Sequence, residues 1–522
     1  MKLINHNTPI YNYLRKYAAE SINIFHMPGH KLGKGVPREL AQDLLQLDVT
    51  EVEGTDNLHH PEGIIQEAQE QAAKAFGADK TFFLVNGSTC GIQAAIMSVC
   101  ARGQKLIVGR DSHRAVASGL ILAGAEPVFV YPEFNEEFGI SAEIRPEAVE
   151  NALRANPDAA AVLITRPNYY GICSDMEKIC SLVHSYGKVL IVDEAHGAHL
   201  AFNDRLPPSA LKYGADICIQ SAHKTLPALT QGAYLHVKGG RADMERLAST
   251  LSLLQTSSPS YIIMSYLDIA RELMEKEGKT NLDNLIDINS WFREELEKTN
   301  VYTVLTGSSL GIKTIQDSVG YISVGHDSTR LVVNMRKLGI SGYEADRILR
   351  EKYRTQVEMA DYENLVMITT VSDSRESLGR LLQALKELAL TEKPGEEALI
   401  ENYSGISRSH NLRKILREQY KKTAVREFNG IAKEIREAPE GEQFALKPWE
   451  AYYASKDQVS LEQSSSRICA DIITPYPPGI PLLYPGEIIS ASCIQYITDI
   501  LGSGGKVNGI GHNKSIRVIR ND

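Results

Sequence analysis

KVLIVDEAHGAH, residues 188–199, decides the fold. VLIV is an unbroken run of branched apolar side chains, which is how a strand covered on both faces of a parallel sheet reads. Asp193 closes the run, so its carboxylate belongs at the carboxyl edge of the sheet, where open α/β folds bind ligands. The same pattern repeats outward: TFFLV (81–85), KLIVG (105–109), PVFVY (127–131), AAVLIT (160–165) and DICIQ (216–220). Segments between them, such as Arg114–Ala123 and Met176–Tyr186, suit crossover helices. Alternating strands and helices predict a doubly wound α/β fold, with a mostly parallel sheet and helices on both faces.

The predicted strand ends carry the chemistry. Lys224, in SAHKTLP (221–227), follows DICIQ closely. Burying an unpaired ammonium is costly. This Lys therefore reads either as a solvated loop residue or as an amine held for Schiff-base chemistry. Asp193, 31 residues earlier in the chain, suits the ring nitrogen of pyridoxal phosphate, which a carboxylate keeps protonated so that the ring accepts electrons. NGSTCGIQAA (86–95) follows TFFLV and opens a helix. Gly87, Ser88 and Thr89 there make either an N-cap or a phosphate cradle. His113, in DSHRA (111–115), lies just past KLIVG and is either a structural His or a ring stacked on a cofactor. The two His of HGAH are three apart and no HExxH occurs, so no metal site is read.

The 522 residues carry 56 Lys and Arg against 65 Asp and Glu, a net charge of −9. That lacks the basic footprint of a nucleic-acid-binding chain. No apolar run approaches the ~18–20 residues that cross a bilayer, and the first residues lack a signal-like apolar core. The expectation is a cytoplasmic protein with no membrane partner. Seven irregularly spaced Cys without C-x-x-C read as free thiols in a reducing compartment. The expected division is an arm (1–30), a large cofactor domain (31–300), a small α+β domain (301–390) and a C-terminal domain (391–522). YISV (321–324), RLVVNM (330–335) and LVMITTV (365–371) supply strands of the small domain. Residues 400–437 read as charged helix, and the Gly-rich tail after Gly502 as partly loose.

Nine stretches share one resemblance: FHMPGHK (25–31), DNLHHPEGII (56–65), NGST (86–89), DSHRA (111–115), TRPNYYG (165–171), VDEAHGAH (192–199), SAHKTLPALTQGA (221–233), QTSSPSY (255–261) and PYPPGIPLLYPGE (475–487). The chain resembles the bacterial ornithine/lysine/arginine decarboxylases in their short form, without the N-terminal wing domain. The resemblance implies the pyridoxal-phosphate fold of the aspartate-aminotransferase type, with a mostly parallel sheet of the seven-stranded type and a small and a C-terminal α+β domain. It implies decarboxylation of a basic L-amino acid, arginine before lysine before ornithine, in polyamine synthesis.

By position, the resemblance makes Lys224 the cofactor-carrying amine, Asp193 the partner of the ring nitrogen and His113 the stacking ring. It places His196 near the ring oxygen. Gly87, Ser88, Thr89, Ser221 and His223 take the phosphate. The family's site forms between two subunits, so at least a homodimer is implied. Thr256 or Ser258 would reach the phosphate held by the neighbouring subunit, and the HMPGHK arm would close over that neighbour's site. Glu487, with Glu53 and Asp56 of EVEGTD (51–56), is a candidate for the substrate's distal cation, although EVEGTD reads equally as a solvated loop. Asn168 stands where the family commonly has Thr, which blurs the role of that loop. Two rivals remain. An aminotransferase or lyase would need a carboxylate-binding Arg, such as Arg330, Arg336 or Arg347. A non-catalytic paralogue would have lost Lys224 or Asp193, and both are present.

Overall fold

The structure is a computed structural model that describes residues 8–310, 315–317, 320–322, 325–392, 444–476, 478–502 and 504–521. Its centre is a seven-stranded sheet. The strands are β1 (Lys80–Leu84), β2 (Lys105–Gly109), β3 (Glu126–Val130), β4 (Ala161–Thr165), β5 (Val189–Asp193), β6 (Ile217–Gln220) and β7 (Ala233–Val237). They lie in the order β1-β7-β6-β5-β4-β2-β3. β7 runs antiparallel to both its neighbours, and the other pairings are parallel.

Alternation within each apolar run builds two cores. Leu190, Val192 and Cys218 face one cluster, and Ile191, Ile217 and Ile219 face the other. Each such fully buried aliphatic side chain contributes ~1.5–3 kcal/mol. The six parallel strands match the apolar runs within a residue. β7 has no counterpart in the sequence reading. AYLHV directly follows the Lys224 loop and its glycine, so it reads as a continuation of that loop.

A belt of polar side chains crosses five adjacent strands inside this apolar sheet. Thr81, His236, Gln220, Glu194 and Arg166 are all nearly or wholly buried. Thr81 Oγ1 lies 2.8 Å from His236 Nδ1, and His236 Nε2 lies 3.2 Å from Gln220 Oε1. Gln220 Nε2 donates to Glu194 at 2.7 Å, and Arg166 Nη1 donates to Glu194 at 3.3 Å. Glu194 also accepts from the Ser209 hydroxyl and the Ala210 N–H. A carboxylate only accepts, so Gln220 spends its amide on Glu194 and offers its carbonyl to His236 Nε2–H. Nδ1 then accepts from the Thr81 hydroxyl. Every donor in the belt points towards Glu194.

Helix α1 (Gly87–Val99) follows β1, and α2 (Arg114–Ala123) follows β2. A 37-residue helix, α3 (Tyr261–Glu297), begins at an N-cap where Ser260 Oγ accepts from the Ile263 N–H. Its first half packs in the large-domain core and its end, Phe292 and Leu296, in the small-domain core. The small domain is an antiparallel sheet of β8 (Thr303–Val304), β9 (Arg330–Asn334), β10 (Met359–Ala360) and β11 (Asn364–Ile368), in the order β8-β9-β11-β10. The expected YISV strand instead contributes Gly320–Ile322 to a separate two-stranded ribbon with Ile315–Asp317, and 323–324 lie outside the described residues. Asn23–Phe25, from the expected arm, pairs in parallel with Thr355–Val357 beside this domain.

The expected helix at 400–437 lies outside the described residues. The tail is not loose: Ser515–Ile519 pairs with Lys456–Ser460, and Val518 is fully buried. The glycines end before this stretch, and SIRVI has the alternation of a half-buried strand. All seven Cys are free and buried. No helix among the described residues is long and apolar enough to cross a membrane.

Candidate active site

The carboxyl ends of β1, β2, β5 and β6 bring the candidate residues together. Lys224 sits in the turn Ala222–Thr225 that follows β6, and its Nζ lies 3.1 Å from His196 Nε2. Asp193, the last residue of β5, is almost fully buried, and its Oδ1 accepts from the Ala195 N–H at 3.1 Å. Burial pushes the Asp193 carboxyl up, and the Lys224 charge opposes this. Burial lowers the Lys224 amine, while Asp193 and Glu358 pull it back up. His196 is held well below the usual imidazole range by burial and by the Lys224 and Arg330 charges.

At the end of β1, the Ser221 hydroxyl donates to Ser88 Oγ at 2.8 Å, joining the start of α1 to the Lys224 loop. Gly87 opens the helix and Thr89 is exposed beside it. The 13-residue helix therefore presents free backbone N–H groups and hydroxyls at its positive end, an arrangement suited to an anion. His223 is tied to its own loop: its Nδ1–H donates to the Gly232 carbonyl at 3.0 Å, and burial lowers its pKa to about 4.

His113 is the N-cap of α2, its side chain accepting from the Ala115 N–H at 3.2 Å. Burial, with the Lys224 and Arg114 charges, lowers its pKa to about 3. Gly479 lies against this ring. Arg114 N–H donates to the Gly479 carbonyl at 3.0 Å. Gly479 has φ +91, and a Cβ there would stand 3.2 Å from His113 Cδ2 and Nε2. Next to His113, Asp111 Oδ1 is buried without a partner, and burial raises the Asp111 carboxyl to about 7.

The remaining expectations fall elsewhere. The three acidic candidates are not gathered around Lys224. Glu487 is buried, accepts the Tyr484 N–H at 2.7 Å and pairs with Arg110 Nη2 at 3.4 Å. Asp56 accepts backbone N–H groups of Asn57, Glu62, Gly63, Ile65 and Gln66, tying down the start of helix Ile64–Phe76. Partial burial opposes the charge, but these N–H groups hold its pKa at about 2. Glu53 is exposed. Thr256 and Ser258 are exposed, with Thr256 N–H donating to Asn86 Oδ1 at 3.3 Å next to the α1 terminus.

The HMPGHK arm packs against the Lys224 loop of its own chain. Gly29 N–H donates to the His223 carbonyl at 2.7 Å, and a Cβ at Gly29 would stand 2.5 Å from the Leu226 carbonyl oxygen. Lys31 is buried and donates to the carbonyls of His26 and Ile368 at 3.0 and 2.8 Å. Only a glycine allows the arm so close to the Lys224 loop.

Three site residues were missed, or were assigned only to a rival. Arg330 heads β9, and its Nη2 donates to His196 Nδ1 at 3.1 Å. The sequence reading used it only for an aminotransferase; Arg336 is instead paired with Glu363 and Arg347 with Glu351. Tyr169 sets its ring edge against His196, with centroids 4.7 Å apart, and its hydroxyl donates to Glu358 at 2.5 Å. Glu358 also accepts the Met27 N–H at 2.9 Å. The only signal for Arg330 is a cation at the head of an apolar run.

An amine, a buried carboxylate, a helix terminus with hydroxyls and a buried neutral imidazole, all at one sheet edge, form a donor set that fits pyridoxal phosphate. Among the described residues, no group of three or more His, Cys, Asp or Glu could hold a metal ion.

Comparison with known proteins gives a consistent picture. A family model described as Orn/Lys/Arg decarboxylase, major domain, matches residues 8–318, and one for the C-terminal domain matches 433–512. The chain is 35% identical to an arginine decarboxylase of Bacillus subtilis, over 97% of this chain and 96% of that protein. It is 24% identical to the lysine decarboxylase LdcA of Pseudomonas aeruginosa, over 92% of this chain and 73% of that protein. Among solved structures, lysine decarboxylase A from Pseudomonas aeruginosa shares the fold, with a TM-score of 0.76 at 22% identity, covering 98% of this chain and 80% of that one.

Proposed function

The chain belongs to the Orn/Lys/Arg decarboxylase family, and from that premise we propose that it releases the α-carboxylate of L-arginine as CO2 and leaves agmatine. The observation that carries the choice of substrate is the 35% identity to an arginine decarboxylase along nearly the whole chain, against 24% for a lysine enzyme. Lysine and then ornithine are the weaker substrates in this reading. We place the reaction in the cytoplasm and in polyamine synthesis.

Pyridoxal phosphate, when bound, supplies an electron sink for the charge left on Cα as CO2 departs. The chain's residues prepare that step. Lys224 offers the amine that carries the cofactor. The Asp193 carboxylate holds a proton on the ring nitrogen, and its burial makes that charge interaction strong. His113, backed by Gly479, would offer its ring for stacking on the cofactor. Ser88, Thr89 and Ser221 take the phosphate at the α1 terminus with Gly87, and His223 steadies the loop beside them. His196 stands next to Lys224 and would lie near the ring oxygen of the bound cofactor.

A second subunit completes the site in this reading. Thr256 and Ser258 are exposed next to the start of α1, where they can meet a neighbour's phosphate. Of the acidic candidates, Glu53 alone is exposed with no described partner, and we assign the distal cation to it across that interface. Glu487 and Asp56 have their oxygens engaged within the chain.

The test is CO2 release from L-arginine, L-lysine and L-ornithine side by side, with the Lys224→Ala variant as control. Arginine should be turned over fastest and the variant should be inactive. A variant that matches wild type overturns the site, and a preference for lysine overturns the substrate.

A further inference from the structure

Arg330, His196 and Lys224 form a line. Arg330 Nη2 is 3.1 Å from His196 Nδ1, and His196 Nε2 is 3.1 Å from Lys224 Nζ. Arg330 is 1% exposed and His196 5%. Arg330 Nε and Nη1 have no hydrogen-bond partner in the structure, so its bond to His196 is not one of several interchangeable contacts.

The chemistry of the three groups fixes the direction of the line. A guanidinium has five N–H donors, no acceptor, and stays protonated in proteins. His196 Nδ1 must therefore accept, which leaves it without a proton. A neutral imidazole then carries its proton on Nε2. An imidazolium is excluded by geometry, because its Nδ1–H would point at the Arg330 donor. Nε2–H points at Nζ, and a nitrogen that receives a hydrogen bond has a lone pair. We propose that Arg330 is a positioning residue that fixes the His196 tautomer, and that His196 thereby holds Lys224 as an uncharged amine.

The surrounding charges do not all favour this state. Asp193 and Glu358 favour an ammonium on Lys224, while burial and Arg330 oppose it. His113 and His223 face His196, and Tyr169 closes its other edge. The directed hydrogen bond tips the balance against the two carboxylates. An uncharged amine is the form that attacks a carbonyl carbon. The cofactor-free protein is therefore ready for an aldehyde near neutral pH without first shedding a proton.

The inference rests on the assignment of Lys224 made above, and its test does not use turnover. Cofactor-free protein is pulsed with acetic anhydride between pH 6 and 10. Nζ attacks the acyl carbon, acetate leaves and the amine proton passes to water. Acetylation of Lys224 is read by peptide mass spectrometry against the exposed Lys212. Arg330→Met should lower Lys224 labelling at pH 7 at least tenfold and move its titration to higher pH. His196→Ala should do the same, and adding Arg330→Met to it should change labelling less than threefold. Near-UV circular dichroism checks folding, and His196→Ala serves as the test if Arg330→Met does not fold. Wild-type labelling in either single variant overturns the proposal. So does an equal effect of Arg330→Met with and without His196, which would mean that Arg330 acts by charge alone. Absorbance after adding pyridoxal phosphate to wild type reports separately whether Lys224 carries the cofactor.

Discussion

Gly479→Ala probes the contact between the C-terminal loop and the His113 ring. Two costs add at this position. The first is backbone: at φ +91 an L-residue is strained by ~1–2 kcal/mol. The second is contact. The new Cβ would stand 3.2 Å from two ring atoms of His113, closer than ordinary van der Waals contact. The ring must retreat from Gly479 by a few tenths of an ångström, and in the proposed function that ring stacks on the cofactor. Losing a well-placed ring contact costs ~0.5–1.5 kcal/mol, or about a twofold to twelvefold loss of affinity. Gly103→Ala is the control, because Gly103 has φ +81 with nothing within 4 Å. Both variants should lose ~1–2 kcal/mol in urea from the backbone strain, and Gly479→Ala more because of the added contact. Only Gly479→Ala should weaken binding of pyridoxal phosphate, followed by its visible absorbance. Wild-type affinity in Gly479→Ala, or equal weakening in Gly103→Ala, would refute the reasoning.

Other expectations follow from the buried charges. Glu194→Gln should cost ~3–5 kcal/mol in urea denaturation, because it leaves Arg166, 3% exposed, as an uncompensated buried charge. Asp193→Asn should lower the rate of CO2 release a hundredfold or more while the protein still binds the cofactor, since the preorganised charge at the ring nitrogen is lost. His236 is held at about 3 by burial. The unfolded chain therefore takes up a proton near pH 6.5 that the folded chain refuses until about 3, and stability falls as pH drops through that window. Wild type should lose about 1.4 kcal/mol for each pH unit below 6.5 relative to His236→Asn. Denaturation midpoints at pH 7, 6 and 5 check this, and parallel curves for the two proteins would contradict it.

The parallel strands were legible because a strand covered on both faces cannot hide its apolar run. Lys224, Asp193, Ser88 and His113 were placed correctly at strand ends by the same logic. β7 was not legible, since an antiparallel return strand behind a catalytic loop has no separate punctuation. Asp56 illustrates a different limit. Its carboxylate ties down backbone six to ten residues ahead, a turn that no short motif announces. Glu194 reads as half of an acidic pair next to two histidines. Only the register of β5 against β6 shows that it turns inward to Gln220. The line from Arg330 to Lys224 joins residues 106 positions apart on two domains, and periodicity carries no information at that range.

The polar belt has a consequence for the order of assembly. β7 lies between β1 and β6, yet it is the last of the seven strands to be synthesised. Until it inserts, β1 has no neighbour in the sheet, and Gln220 and Thr81 have no imidazole to join them. Ser88 and Ser221, 2.8 Å apart in the folded chain, then lack the strand that lies between β1 and β6. A nascent chain that has not yet exposed residue 237 can fold five strands side by side and still lack half of its anion cradle. Binding of the proposed cofactor should therefore require residues 233–237, the strand that joins β1 to the rest of the sheet.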